Sequence, residues 1–327
     1  MKMKNDPEVS VLCITYNQAD YIEQCINSIL SQKTTFKFEL LINDDCSNDG
    51  TREIVENYAL RFPDIIKPVF HSTNQFSKGI NPTSTYLFPR ARGKYFAMCE
   101  GDDYWIDENK LQKQYELMEK SPETALCGHA SINVSAEDCR KLAPNRPFSK
   151  TGFYSFRDFV DVEQIPPMAT ASLFFRGQAY GEYVASGYVD KAAHGDFKME
   201  MYFTAISPIA YIDEQMSAYR ILAKGSINRG IMRRKDWRDV ERNLTESRVS
   251  YLRDIASIVS NEEREGVLAL IDALEYRGAL VVNDVQCLLR RWPVEFRSEN
   301  IDTRVKTRLY SLLPCIQSMV RIIKSFR

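Results

Sequence analysis

Phosphate-binding glycine loops are missing from this sequence. No two of its fourteen glycines are separated by a single residue, and no Gly-Lys pair is followed by Ser or Thr. Those absences count against a nicotinamide enzyme and against a phosphate-loop ATPase. The eight cysteines include no CxxC pair, which removes the usual basis for a zinc ribbon or a dithiol redox motif. Most of the thiols fall in apolar runs, where they read as reduced, buried small hydrophobes of a cytoplasmic protein. No window approaches the ~20 apolar residues of a membrane span. The opening MKMKNDPE has no apolar stretch after its lysines, so no secretory leader is expected.

Charge of one sign is also missing overall, since the net charge is −1. Its distribution is uneven. Residues 224–327 hold 20 Lys and Arg against 14 Asp and Glu, and residues 1–223 hold 23 against 30. An acidic body is a poor partner for nucleic acid. The moderately basic tail suits either an anionic neighbour, such as a phospholipid surface, or an ordinary solvated helical face.

What is present is a dense acidic cluster. Met98 to Trp105 reads MCEGDDYW, with Glu100, Asp102 and Asp103 within four positions at the end of an apolar run. Carboxylates held this close repel one another, which a divalent cation would offset. An oxygen-only donor set favours magnesium or manganese over zinc. The competing reading is a turn at Gly101 to Asp103, followed by Asp107 capping a helix that begins near Glu108.

The surrounding periodicity predicts alternating strands and helices. Val9 to Tyr16 is an almost unbroken apolar and β-branched run, suited to a strand covered on both faces. Ile22, Cys25, Ile26, Ile29 and Leu30 follow at helical spacing, with Asp20 as the expected N-cap. Phe38 to Asn43 predicts a second strand, and Ile54, Val55, Tyr58 and Ala59 the inner stripe of a second helix. Further strands are expected at Lys67 to His71 and Tyr95 to Cys99, and a helix at Leu111, Tyr115 and Met118 ending before Pro122. The pattern implies a doubly wound α/β layer, a mixed and mainly parallel sheet with helices on both faces. In such sheets ligands bind beyond the carboxyl ends of the strands. Tyr16 and Asn17, Asp44 and Asp45, and Asp102 and Asp103 all fall at such ends. Residues 123–223 change character, with strand-like runs at Ala125 to Asn133 and Thr170 to Phe175. Beyond Gly225 the pattern is helical, which sets the expected division at 1–223 and 224–327.

Three segments carry a family resemblance. VSVLCITYNQADYIEQCINSILSQ, FELLINDDCSNDGT and RGKYFAMCEGDDYWIDENKLQKQ resemble, in order and spacing, the successive signatures of the inverting GT-A glycosyltransferases of family two. The resemblance spans roughly residues 8–222 and is nearest to bacterial members that build capsule, O-antigen or other surface glycans. It implies a catalytic domain over 1–223, with a nucleotide-binding half to about residue 122 and an acceptor half beyond it. It further implies a nucleotide-diphosphate sugar donor, with a UDP-sugar expected, transfer of a hexosyl or N-acetylhexosaminyl group with inversion, and dependence on Mn2+ or Mg2+.

Carried over residue by residue, the resemblance places Tyr16 against the nucleobase, with Asn17 beside it in the nucleotide site. Asp45 would accept hydrogen bonds from the base or ribose. Capping the next helix is its other role, for which Asn48 and Asp49 are better placed. Asp102 and Asp103 match the motif that holds metal and ribose. Glu100 stands where many members have Asp and would reach the metal through water. Asp196, in HGDFKMEMYF, falls where the family has its base, although an N-cap is an alternative and Glu200 follows on the same helix. In the segment where the family commonly touches the diphosphate, Lys78, Asn81 and Arg92 are candidates without assigned roles, and His194 is a candidate for diphosphate or acceptor contact.

From Val305 a basic amphipathic pattern interrupted by Pro314 suits either docking on the core or contact with a membrane surface. A lipid-linked glycan acceptor would make attachment at the inner face of the plasma membrane useful. Two rivals stay open: a sugar-nucleotide pyrophosphorylase, disfavoured because YNQADY is not a glycine-rich triphosphate loop, and a non-catalytic sugar-nucleotide or glycan binder.

Overall fold

The computed structural model of the chain describes residues 6–160, 168–189, 195–224, 226, 234–299 and 303. It divides into two compact units, Met1–Gly225 and Ser226–Arg327.

Strand β1 (Val9–Thr15) is the VSVLCIT run, and its β-branched residues are buried along almost its whole length. It lies parallel to β2 (Phe38–Asp44) on one side and to β4 (Tyr95–Met98) on the other, with β3 (Ile66–Phe70) parallel beyond β2. Helices α1 (Ile22–Leu30), α2 (Thr51–Arg61) and α3 (Lys110–Glu119) cover one face. Their stripes, Ile22, Cys25, Ile26 and Ile29, then Val55 and Tyr58, then Leu111 and Met118, pack with Val9, Val11, Cys13, Leu40, Ile42 and Ala97 into the main core. Complete burial of each aliphatic side chain contributes about 1.5–3 kcal/mol.

Two expected features differ. Asp20 does not cap α1, whose cap position is Tyr21 with no side-chain bond; Asp20 instead lies 3.5 Å from Lys224. Thr170 to Ser172 is a 3-10 turn and only Phe174–Arg176 is strand.

The sheet continues through β5 (Tyr104–Trp105), β6 (Leu126–Ser135), β7 (Lys141–Asn145), β8 (Gly152–Tyr154), β9 (Phe174–Arg176) and β10 (Ile209–Ile221). The order is β3-β2-β1-β4-β9-β6-β10-β5, with β7 on β6 and β8 on β10. Strand β9 runs antiparallel between β4 and β6, and β10 is parallel to β6. Short α4 (Phe156–Val160), α5 (Gly177–Ala185) and α6 (Gly195–Ile206) follow the first three helices. The other face is closed by α5 and α6, where Tyr180 meets Phe96 and Phe175, and Phe203 meets Phe175 at 5.6 Å between ring centroids. Helices therefore lie on both faces of a mixed sheet.

The second unit is helical in its described part. Helix α7 (Trp237–Ile255) is followed by α8 (Asn261–Val282), which opens on a capping box between Ser260 and Glu263 and ends at Asn283 in the left-handed region. Then come α9 (Val285–Arg291) and α10 (Pro293–Ser298). The amphipathic segment from Val305 lies outside the described residues, and no helix among the described residues is long and apolar enough to cross a membrane.

Candidate active site

The carboxyl ends of β1, β2 and β4 bring three loops together. At the end of β1, Asn17 takes a positive φ of 51°, which an Asn tolerates better than most residues. Its side chain accepts the Asn48 amide at 3.0 Å and its own amide donates to Ser47 Oγ at 2.9 Å. Asn17 thus staples the first loop to the second. Tyr16, beside it, keeps 39% of its surface exposed, so its ring is not consumed by packing on the neighbouring helix.

Asp44 and Asp45 end β2 and differ in use. Asp44 is fully buried, with one oxygen accepting the Ser47 amide and the other lacking a donor, and burial pushes its pKa up. The Asp45 carboxylate accepts the Gln75 amide at 2.7 Å and the Phe76 amide at 2.9 Å, one on each oxygen. It therefore pins the 73–79 loop, and a ligand would have to share its remaining lone pairs. Asp49 precedes Gly50, which holds the cap position of α2 without a side-chain bond, and accepts from the Thr51 amide and hydroxyl at 3.1 and 2.6 Å.

The acidic loop after β4 runs beside the end of β1, where the Gly101 amide donates to the Ile14 carbonyl at 3.0 Å. A Cβ on Gly101 would stand 2.5 Å from Gln18 Oε1 and 2.6 Å from Thr15 Oγ1. Glycine is the residue that lets the loop approach this closely. Thr15 donates to Gln18 at 2.8 Å, and the Gln18 side chain in turn stabilises the charged form of Asp102.

Electrostatics joins the loop to a fourth element. Burial, then the charge of Asp102, then that of Asp196 push the Glu100 carboxyl up to about 8. Asp103 is raised well above the carboxylate range, first by burial and then by Asp102 and Glu100. Its Oδ1 accepts the Arg220 amide at 2.9 Å, and its Oδ2 is buried without a donor. Asp196, at the first turn of α6, is half-buried and acts on both Glu100 and Glu200. Glu200 is fully buried, so of the two acids on α6 it is Asp196 that solvent and substrate can reach.

Among the described residues, no group of three or more His, Cys, Asp and Glu is arranged to hold a metal ion unaided. The donor set still fits a hard cation of another kind. Magnesium is commonly held by one or two carboxylates together with substrate phosphates, not by an all-protein cage. An orphaned Asp103 oxygen beside Asp102 and Glu100, all with raised pKa, is a place where a cation would offset the repulsion.

Arg220, near the end of β10, joins the site although no sequence motif marks it. It is buried, its guanidinium donates to the Asp102 carbonyl and to Gln24, and it lies over the rings of Tyr21 and Tyr104 at 4.9 and 4.6 Å. The available signal was a lone arginine in the otherwise strand-like run SAYRI.

The remaining candidates divide. Asn81 lies close to the start of α6, since a Cβ on Gly195 would stand 3.8 Å from its Nδ2, and its Oδ1 accepts the Thr83 amide at 3.0 Å. Lys78 donates to Thr73 Oγ1 at 2.6 Å within the loop pinned by Asp45. Arg92 is not part of the cluster. It pairs with Glu39 at 2.7 Å and its amide bonds Ser10, which places it at the amino ends of β1 and β2. His194 lies outside the described residues.

The family model described as Glycosyl transferase family 2 matches residues 10–183. An uncharacterized protein of Mycobacterium tuberculosis is 31% identical over 233 residues, which is 70% of this chain and 63% of that protein. The chain thus matches less than two thirds of that relative's length. The TuaG protein of Bacillus subtilis, named a putative teichuronic acid biosynthesis glycosyltransferase, is 37% identical over 38% of this chain and 47% of its own. Among solved structures, S. aureus TarS 1-349 in complex with UDP-GlcNAc superposes with a TM-score of 0.56 at 17% identity, covering 93% of this chain and 91% of that one. The mannosyltransferase PcManGT of Pyrobaculum calidifontis, in complex with GDP-Man and Mn2+, gives 0.50 at 13% identity over 95% and 89%. At these identities the structural matches show the GT-A fold.

Proposed function

The chain belongs to glycosyl transferase family 2, and from that premise we propose that it moves a sugar from a nucleotide-diphosphate sugar to an acceptor hydroxyl, with inversion at the anomeric carbon. The observation that carries the reading is the acidic loop Glu100 to Asp103 at the carboxyl edge of the sheet, within electrostatic reach of the half-buried Asp196.

In this reading Tyr16 stacks on the base, and Asn17 and Asp45 shape the pocket for base and ribose, with Asp102 also toward the ribose. A Mn2+ or Mg2+ ion, when bound, would offset the charge building on the departing diphosphate. Asp102 and Asp103 would hold it, and Glu100 would assist through a bridging water. Asp196 takes the proton of the acceptor hydroxyl as that oxygen forms its bond to the anomeric carbon. The bond from that carbon to the diphosphate oxygen breaks, and the nucleoside diphosphate leaves. Such base assistance contributes roughly 10²- to 10⁴-fold. Arg220 keeps the acidic loop in place through its bonds to Asp102 and Asp103.

A UDP-sugar is the proposed donor, supported by the UDP-GlcNAc complex of TarS. A bacterial surface glycan is the proposed product, supported by the names of TuaG and of the E. coli glucosyltransferase WfgD, whose acceptor is a diphosphoundecaprenol-linked GlcNAc. A lipid-linked acceptor would place the protein at the inner face of the plasma membrane, with the basic segment beyond Arg304 as its contact. The test is turnover of a panel of UDP-, dTDP- and GDP-sugars with and without manganese, with proton NMR of the product's anomeric centre. Manganese-dependent release of nucleoside diphosphate with inverted product supports the reading. Synthesis of sugar nucleotide from a sugar-1-phosphate and a nucleoside triphosphate would replace it with the pyrophosphorylase.

A further inference from the structure

Helix α6 carries an acid that the transfer step does not use. Glu200 lies one helical turn after Asp196, is wholly buried, and has no hydrogen-bond donor on either carboxylate oxygen among the described residues. The Met168 backbone favours its charged form, after the larger opposing effects of burial and of the Asp196 charge. Glu200 is wholly buried and no cation among the described residues shifts it, so an ionised carboxylate there would be poorly compensated and the group is held as the neutral acid. Burial and the charge of Asp196 both push its pKa well up.

A neutral carboxyl has one O–H to give, and positions four apart on a helix face one another. Asp196 is the charged side chain that acts on Glu200. Lys198 is buried on the same helix, but two residues away it points about 200° around the axis. The elements packed against α6 carry Arg157 and Asp158 on α4, Tyr180, Glu182 and Tyr183 on α5, and Cys127 and His129 on β6. None of these is among the groups that shift Glu200.

We propose that Glu200 is a positioning residue for Asp196, presenting its O–H to the Asp196 carboxylate across one helical turn so that the pair carries a single negative charge and one Asp196 oxygen stays turned toward the acceptor. The role rests on the reading of Asp196 as the base. Loss of the Glu200 proton at alkaline pH would place two facing carboxylates in one dry site, and Asp196 would turn away.

The test compares Glu200→Gln with Glu200→Met in the full chain. The amide keeps a donor and cannot ionise; the thioether keeps the volume and has no donor. Glu200→Gln is expected to hold at least half the wild-type kcat at neutral pH and to lessen the alkaline fall in rate, the part that persists belonging to Glu100, which also faces Asp196. Glu200→Met is expected to fold, with kcat reduced about 10- to 100-fold and donor KM unchanged. Wild-type kcat and pH profile in Glu200→Met would overturn the proposal. Carboxyl carbon NMR supplies a readout that needs no turnover. The Asp196 titration should move in both variants, and an Asp196 curve identical to wild type would overturn the proposal. A wild-type protein that turns over no sugar nucleotide would instead remove the transfer reading, leaving the pairing to be decided by NMR.

Discussion

The backbone amide of Arg220 donates to Asp103 Oδ1 at 2.9 Å, and the guanidinium of the same residue donates to the Asp102 carbonyl. One residue near the end of β10 thereby holds an acidic loop that is more than a hundred positions earlier in the chain. Arg220→Met would strip a buried carbonyl and Gln24 of their donor and remove the cation from between Tyr21 and Tyr104. A loss of about 2–4 kcal/mol is expected from the unsatisfied groups and the lost ring contacts, read by urea unfolding. Arg220→Lys should recover little, because one ammonium cannot reproduce a guanidinium fork.

Gly101→Ala is expected to displace the acidic loop. The added carbon would meet Gln18 and Thr15 side-chain oxygens at 2.5 and 2.6 Å, so the loop or Gln18 must move. A cost of about 1–3 kcal/mol in stability should accompany weaker nucleotide binding in the presence of manganese. Adding Gln18→Ala should restore part of the stability, measured by thermal unfolding of the single and double variants.

The raised Glu100 carboxyl sets a pH dependence for the metal-free protein. Its folded pKa of about 8 lies above the ordinary 4.5, so its folded form favours the proton. Below about pH 4.5 this group costs nothing. As pH rises toward 8 the unfolded chain gains an advantage, and stability falls. Glu100→Gln should therefore raise the melting temperature at pH 8 and leave it unchanged near pH 4. Added manganese should stabilise the wild type more at pH 8 than at pH 5.

Asp45→Ala should release the loop that it pins. The Gln75 and Phe76 amides lose their acceptors, and leaving them unmatched is worth about 1–3 kcal/mol. Amide exchange at those two positions, followed by mass spectrometry, should quicken by about tenfold or more while β1 and β2 stay protected. Unchanged exchange would mean that the loop holds itself.

Local signals made the first half of the fold legible. The run at Val9, the stripe from Ile22 to Leu30 and the acids at Asp44, Asp45, Asp102 and Asp103 each announce a strand, a helix or a strand end without reference to anything distant. The second half resisted because its strands enter out of order. Antiparallel β9 is only three residues long, and it separates β4 from β6. Asp196 and Glu200 share a helix by any periodicity, but α6 buries residues on several sides, so sequence spacing could not say which acid is exposed. Arg220 was illegible for the same physical reason. Its partners are a carbonyl, an amide side chain and two rings, none of which leaves a charge pattern in the sequence. Arg92 misled in the opposite sense, since a basic residue after the third strand looked available for phosphate when Glu39 already held it.

The Glu100 to Asp103 loop and Asp196 are proposed to form one transfer centre. The most direct measurement is nucleoside diphosphate release from the preferred sugar donor by wild type and Asp196→Asn, with nucleotide affinity measured by titration calorimetry on the same preparations. A rate lowered roughly 10²- to 10⁴-fold is expected, with affinity nearly unchanged. An Asn variant that releases nucleoside diphosphate at the wild-type rate would contradict it.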